Sequence, residues 1–220
     1  MIINTKKIPV NGINEEYVLK AYNKKEIYKD SIFLDLEHYV YKHPICIGIF
    51  GACIYDNRNN NLILTQFMME EGEDKERVLY KAYDYLKRCK KQLNKKYLVT
   101  FSGNNDYLVI NHLFNEYEIP LNIRTYFKEI DLQKEYEKIT KEGIGLKKLE
   151  KIFDIFREGE VVSGVEMAKI IKKINEKDQY LKRMSEQKIK NLLLYNEQDV
   201  VNLFNIIVNW NKYMNTENPL

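Results

Sequence analysis

Residue types that build cross-links, zinc sites or flexible segments are scarce in this sequence. Its 220 residues include three cysteines, three histidines, nine glycines and four prolines. The cysteines, Cys46, Cys53 and Cys89, form no CxxC pair, and the histidines lack zinc-site spacing, so neither a disulfide framework nor a zinc site is expected. The low glycine and proline content argues against long flexible linkers. We therefore expect one soluble globular domain with reduced thiols.

Long apolar runs and a strong excess of one charge are also missing. No stretch approaches the ~18 apolar residues of a membrane span, and the N-terminus lacks the apolar core of a signal peptide. The formal net charge is +3 and the sequence pI is about 8.5. That charge is compatible with a nucleic-acid partner but does not require one. We expect a cytoplasmic protein with no membrane partner.

Hydrophobic periodicity and turn residues indicate an α/β domain. Strands are predicted at residues 31–37, 45–55, 62–69, 97–101 and 122–130, of which the second and third form a hairpin. Helical spacing follows near 78–89, after 106, and in a last long helix over about 186–214. A hairpin-linked trio of strands followed by alternating helix and strand implies a mixed sheet flanked by helices. We assign 1–30 to an N-terminal extension of unknown role, 31–214 to the domain and 215–220 to a tail.

Two acidic residues interrupt the first predicted strand. Asp35 and Glu37 alternate with Leu34 and Leu36, so both carboxylates point to one face of the strand. Burying even one unpaired carboxylate costs several kcal/mol, which favours a binding role for the pair. On an edge strand, the same pattern is typical of a solvent-facing surface. His38 is expected to point to the opposite face if the strand continues.

Further acidic and aromatic residues stand at positions where sites form. Tyr195 and Asp199 are one turn apart on the last predicted helix and share a face at the edge of its apolar stripe. Asp106 follows a buried strand, and strand ends are the usual place for sites in α/β sheets. Simpler interpretations exist: Asp106 as a helix N-cap, and Tyr195 with Asp199 as an ordinary helix face. Asp131 is predicted to cap a helix rather than to act as a further ligand.

Four carboxylates converge if the last helix packs near the first strand, namely Asp35, Glu37, Asp106 and Asp199. Such a group repels itself unless cations neutralise it, and oxygen ligands without Cys or His favour Mg²⁺ or Mn²⁺. Two such ions about 4 Å apart activate a water and stabilise the leaving oxygen of a phosphodiester. Tyr195, one turn from a ligand, is then placed to orient the attacking water. It need not be the base, because metal-bound water is already acidified.

These motifs, in this order, resemble those of DEDD-type 3′–5′ exonucleases of the ribonuclease H-like superfamily. The matching stretches are Asp35-Leu36-Glu37, Ser102-Gly103-Asn104-Asn105-Asp106 and Tyr195-x-x-x-Asp199, the last of which marks the tyrosine subgroup, DEDDy. Residues 195–200, and residues 145–150 with Arg157, also resemble the family of predicted bacterial ribonuclease H-like exonucleases. The resemblance covers roughly residues 31–212.

The resemblance implies a ribonuclease H-like fold with a five-stranded mixed sheet and two divalent cations, Mg²⁺ or Mn²⁺. It implies stepwise removal of nucleotides from the 3′ end of single-stranded DNA or RNA. Asp35, Glu37, Asp106 and Asp199 match the four metal-binding acids, and Tyr195 matches the water-orienting tyrosine. All five are candidate catalytic residues, and the sequence does not identify a protein partner.

Two positions depart from the family pattern. Ser102 stands where asparagine is usual, and Asn105 stands where an aromatic residue is usual. Both changes leave the ligand Asp106 in place, so the chemistry is expected to survive, and they concern how this loop packs and contacts the terminal nucleotide. Three alternatives stay open: a catalytically weak module that binds nucleic-acid ends, a partner-binding domain with decorative surface acids, and a metal-dependent endonuclease.

Overall fold

A computed structural model of the chain describes residues 1–159 and 163–214; the predicted tail, 215–220, lies outside them. The strands are β1 (Ile2–Pro9), β2 (Ser31–Tyr41), β3 (His43–Asp56), β4 (Asn61–Met68), β5 (Tyr97–Thr100) and β6 (Lys128–Asp131). The helices are α1 (Asp74–Lys91), α2 (Asn104–Glu116), α3 (Ile123–Tyr126), α4 (Leu132–Thr140), α5 (Leu146–Ile152), α6 (Gly164–Glu176) and α7 (Glu186–Met214). Short 3-10 turns occupy Ile27–Asp30 and Leu181–Arg183.

The strands form one mixed sheet in the order β1-β4-β3-β2-β5-β6. Strands β1, β4, β3 and β2 pair antiparallel, whereas β2, β5 and β6 pair parallel. The α/β class and the β3–β4 hairpin are therefore confirmed.

The predicted count of five strands is wrong, because the sheet has six. The additional strand, β1, lies in the stretch assigned to an N-terminal extension of unknown role. It sits at the sheet edge with five of its eight side chains exposed, so it lacks the apolar alternation that predicts a buried strand. The predicted strand at 122–130 is a short helix, α3, followed by β6.

The two faces of the sheet are covered by different helices. On β2, Ile32, Leu34 and Leu36 pack into a core with α1 and α2. Phe33 points the other way, into a second core that α7 completes with residues such as Phe204. Because side chains alternate along a strand, Asp35 and Glu37 share the α7 side with Phe33.

Helix α7 is the longest of the described elements, and its 29 residues begin and end where the sequence predicted. Its buried positions include Leu192, Asn196, Val200, Leu203 and Ile207, spaced three or four residues apart as expected for one helix face. The sheet-facing stripe of this helix therefore contains a fully buried asparagine. Asp199 is also buried within this stripe, rather than standing at its edge.

The cysteine side chains and the apolar character of the helices bear on two features of the sequence, its few thiols and its short apolar runs. Cys46, Cys53 and Cys89 are free and buried. Of the helices that the structure describes, none combines the length and apolar character that a membrane span requires.

Candidate active site

Three carboxylates meet where α7 packs on β2. One oxygen each from Asp35, Glu37 and Asp199 lies within 4.8 Å of the other two, and no other such group of acids, histidines and cysteines occurs in the described part of the chain. Strand β2 is central, between β3 and β5, so the interpretation of an edge strand with solvent-facing acids is wrong. Three converging carboxylates supply the hard oxygen ligands that Mg²⁺ and Mn²⁺ prefer.

Asp106 lies beside this group without belonging to the 4.8 Å cluster. It occupies the first turn of α2, where the N-cap position is Gly103, so the N-cap interpretation of Asp106 is wrong. Burial raises the pKa of Asp106 to about 8, and the charges of Asp131 and Asp199 add to this effect. The structure thus brings all four predicted acids to one region, three of them in direct proximity.

Burial and mutual repulsion disfavour the charged forms of these carboxyls. Burial raises the pKa of Asp35 well above its ordinary value, and the charges of Asp199 and Glu37 raise it further. The pKa of Glu37 rises to about 8 through burial and then through Asp199 and Asp106. Burial also raises the pKa of Asp199, but only to about 6, because Arg157 opposes the effect. A divalent cation would reverse these shifts by favouring the charged carboxylates.

Arg157 links this cluster to a buried glutamate. Its Nε and Nη2 donate to the two oxygens of Glu150 at 2.7 and 2.6 Å, and Nη2 also donates to Asp199 Oδ1. Asn202 donates to Glu150 Oε1 at 2.9 Å. Glu150 is only 1% exposed, so this charge depends on the arginine. The guanidinium of Arg157 therefore holds Asp199 Oδ1 in position.

Tyr195 packs against two cations at the side of the cluster. The Lys147 ammonium lies 5.0 Å, and the Arg157 guanidinium 5.4 Å, from the centre of its ring. Burial raises the pKa of Tyr195 well above its ordinary value, and the charges of Asp199 and Glu37 raise it further. A raised pKa favours the protonated phenol, which has an O–H available for donation.

Asn196 contacts Asp35, although no role was predicted for this asparagine. Its Nδ2 donates to Asp35 Oδ2 at 3.0 Å, and its Oδ1 accepts from Gln66 Nε2 at 2.9 Å. No local sequence pattern announces this contact, because Gln66 and Asp35 lie on strands far away in the chain. Only the adjacency to Tyr195 in the family-like motif marked the position.

The pairing of β2 with β3 is irregular directly after Glu37, where β3 contributes an extra residue, Gly48. A register shift against β3 falls between Glu37 and His38. His38 contacts the start of α2, the helix that packs on the face of β2 opposite Asp35 and Glu37. Its Nε2 lies 3.8 Å from Asp106 Oδ1 and 3.1 Å from Asn105 Nδ2. Asn105, at one of the two positions that depart from the family pattern, thus contacts a histidine beside the acids.

The loop before Asp106 is tied to the adjacent strand end. Ser102 has a left-handed φ of 54°, and its N–H donates to Asp131 Oδ1 at 2.9 Å. The same oxygen accepts from the Gln133 N–H at 3.1 Å at the start of α4, which confirms Asp131 as a helix cap. The cap therefore also anchors the loop that presents Asp106.

A cavity of about 750 Å³ opens over the cluster. Its lining includes Asp35, Glu37, Asp199 and Tyr195 together with residues 143–148. This volume lies within the range of about 300–1,000 Å³ that is typical of ligand sites. The three acids of the cluster thus face a space of the size that ligands occupy.

One known protein family matches most of the sequence. A family model described as the RNase H superfamily matches residues 32–211, a range that includes β2 from its second residue, all four acids and Tyr195. No curated protein matches the sequence significantly. Proteins of this superfamily act on nucleic acids, typically as nucleases that use divalent metals, and the acidic cluster can hold such a metal. Since the match extends over far more than half of its residues, the chain belongs to the RNase H superfamily.

Proposed function

We propose that the protein is a divalent-metal-dependent 3′–5′ exonuclease of the DEDDy type that hydrolyses single-stranded DNA or RNA. The observation that carries the proposal is the meeting of Asp35, Glu37 and Asp199 within 4.8 Å, with Tyr195 one turn before Asp199. Asp106 completes the set from α2. The order of these residues along the chain is that of the family motifs.

The donor set fits two divalent cations, Mg²⁺ or Mn²⁺. Asp35, Glu37, Asp106 and Asp199 would hold them, because all four are carboxyls whose buried charges need a counter-ion. When bound, such a metal pair activates a water and stabilises the leaving oxygen of a phosphodiester. No histidine or thiolate belongs to the three-carboxylate cluster, in keeping with a hard metal.

The remaining site residues orient the reactants. The protonated Tyr195 hydroxyl donates a hydrogen bond that orients the attacking water. Arg157 keeps Asp199 in a fixed orientation through its contact with Glu150. Lys147 and Lys148 line the same cavity as the acids, where their positive charges suit the phosphates of a single strand.

The direct test uses 5′-labelled single-stranded DNA and RNA oligonucleotides, incubated with the protein and Mn²⁺ or Mg²⁺. We expect a ladder of products that shortens from the 3′ end. EDTA and Asp199→Ala should abolish it, while Asp84→Ala, which removes an exposed acid on α1, should not. Internal cleavage products would instead indicate an endonuclease and contradict the 3′–5′ assignment.

A catalytically weak module that binds nucleic-acid ends is the second candidate. The observation that favours it is the contact of Asn105 with His38 beside Asp106, at a position where exonucleases of this type have an aromatic residue. Binding of Mn²⁺ and of labelled oligonucleotides without cleavage of either strand would favour this module over the exonuclease.

A further inference from the structure

Four strands bring a row of residues across the sheet to Asp35. The strand register pairs Asn4 with Gln66, Gln66 with Gly51, and Gly51 with Asp35. Gly51 has no side chain, and the amide of Asn196 from α7 fills the place that a side chain would take. An added Cβ on Gly51 would lie 1.9 Å from Asn196 Oδ1.

The side chains of this row form a continuous chain of hydrogen bonds. Asn4 Nδ2 donates to Gln66 Oε1 at 2.9 Å, Gln66 Nε2 donates to Asn196 Oδ1 at 2.9 Å, and Asn196 Nδ2 donates to Asp35 Oδ2 at 3.0 Å. Gln66 and Asn196 each accept on one side and donate on the other. The row therefore ends with a donor directed at Asp35.

A backbone carbonyl fixes the direction of the whole chain. Gln66 Nε2 also donates to the Leu193 carbonyl oxygen at 2.9 Å. A carbonyl oxygen only accepts, so the NH₂ group of Gln66 must face α7, and Asn196 must then turn its own oxygen toward Gln66. Gln66 and Asn196 are both 0% exposed, so water does not offer either amide an alternative partner.

We propose that Asn196 and Gln66 are positioning residues of the metal centre. We call the hydrogen bonds from Gln66 to Asn196 and from Asn196 to Asp35 the relay. The relay occupies one acceptor site of Asp35 Oδ2 and holds the carboxylate in one orientation, which leaves its other acceptor sites for a cation. A carboxylate has about four such sites, so the contact does not compete with metal binding. This inference rests on the proposed metal-dependent function and adds the residues that prepare Asp35 for it.

Gln66→Glu is the most specific test of the relay, because the Gln66 side chain contacts neither Asp35 nor the cavity. A glutamate at this position accepts from Asn4 and has at most one O–H, when it is protonated, so it cannot donate to both the Leu193 carbonyl and Asn196 as the glutamine does. Whether that proton goes to the Leu193 carbonyl or is absent, an oxygen of position 66 faces Asn196 Oδ1. The Asn196 amide is then driven to turn its NH₂ toward position 66 and its oxygen toward Asp35, where two acceptors repel each other. We expect the affinity for Mn²⁺ to fall about 10–100-fold, the usual effect of losing a partner behind a metal ligand.

The affinity is measured by calorimetry with Mn²⁺ and the protein free of nucleic acid, so that the readout is independent of catalysis. Asn196→Leu, which removes the donor, should give a similar loss and serves as the second variant if Gln66→Glu fails to fold. Asn4→Ala should stay within about twofold of the parent, because the Leu193 carbonyl still sets the direction. Leu64→Ala, a core truncation on the same strand, should lower Tm and leave the affinity unchanged.

The outcomes separate this inference from the proposed function. Parental Mn²⁺ affinity in both folded Gln66→Glu and Asn196→Leu would overturn the relay, even if the parent is an active exonuclease. Reduced Mn²⁺ affinity in both variants would support the relay, even if no oligonucleotide is cleaved and the exonuclease proposal fails. A parent protein that binds no Mn²⁺ at all would overturn both.

Discussion

The side-chain amide of Asn196 lies directly on the backbone of Gly51. Even the smallest side chain at Gly51 meets Asn196 Oδ1 at 1.9 Å, and the buried amide has hydrogen bonds on both sides that it must keep. We therefore expect Gly51→Ala to destabilise the protein by about 1–3 kcal/mol, the usual cost of overpacking a core. Urea unfolding, monitored by circular dichroism, measures this change.

A double variant tests the physical reason for that loss. In Gly51→Ala with Asn196→Ala, the new methyl group enters space that the amide has left. We expect the double variant to lose less stability than the sum of the two single variants. Simple additivity would show that the strain at Gly51 does not come from Asn196.

Removing the Tyr195 hydroxyl should separate metal binding from catalysis. Tyr195→Phe keeps every carboxylate, so Mn²⁺ affinity should match that of the parent. Under the proposed function, kcat should fall about 10²-fold, a typical loss for one hydrogen-bond donor to a reacting group. Tyr213→Phe, at the far end of α7, is the matched control and should leave kcat unchanged. Full activity of Tyr195→Phe would contradict the water-orienting role.

Loss of the Arg157 charge should destabilise the fold as well as the site. Arg157→Met leaves the buried Glu150 carboxylate without its cation, and breaking a buried pair in this way costs about 3–5 kcal/mol. Because Arg157 lowers the pKa of Asp199, the variant should also need a higher pH to bind Mn²⁺. Unfolding in urea and calorimetry at several pH values measure the two effects.

The matched variant for Arg157 removes both charges. Adding Glu150→Leu to Arg157→Met eliminates the buried unpaired carboxylate, so part of the lost stability should return. The pH requirement for Mn²⁺ should remain, since Asp199 still lacks its guanidinium partner. If the double variant is less stable than Arg157→Met alone, the explanation by an unpaired Glu150 is wrong.

The metal-free protein should lose stability as the pH rises. The pKa values of Glu37 and Asp106 are about 8 in the folded state, against about 4 in an unfolded chain. Between these values the folded protein holds more protons than the unfolded chain, so stability present near pH 5 is lost toward pH 8.5. Thermal unfolding in EDTA should show a lower Tm at pH 8.5, with a smaller decrease in Glu37→Gln. Saturating Mn²⁺ should remove most of the decrease in the parent.

The local sequence pattern was sufficient to predict those parts of the site that lie within a single strand or helix. The alternation in β2 predicts that Asp35 and Glu37 share a face, and helical spacing predicts the same for Tyr195 and Asp199. The length of α7 also follows from its periodicity, because its buried positions repeat at three or four residues.

Features that depend on pairing between distant strands were not predictable in this way. Strand β1 is largely exposed at the edge, so its sequence carries little apolar pattern. The contact of His38 with Asp106 joins β2 to the start of α2, which the sequence of β2 does not specify. The role of Asn196 depends on the glycine opposite it in the folded sheet.

The placement of Asp199 and Asn196 on α7 has a consequence during synthesis of the chain. A ribosome makes β2 with Asp35 and Glu37 more than 150 residues before it makes Asp199. Until α7 emerges and docks, the nascent chain holds Asp35, Glu37 and Gln66 but lacks Asp199 and the Asn196 amide that donates to Asp35. Under the proposed function, the metal centre thus forms late in translation, and fragments that end before α7 are expected to remain without metal and inert toward nearby nucleic acids.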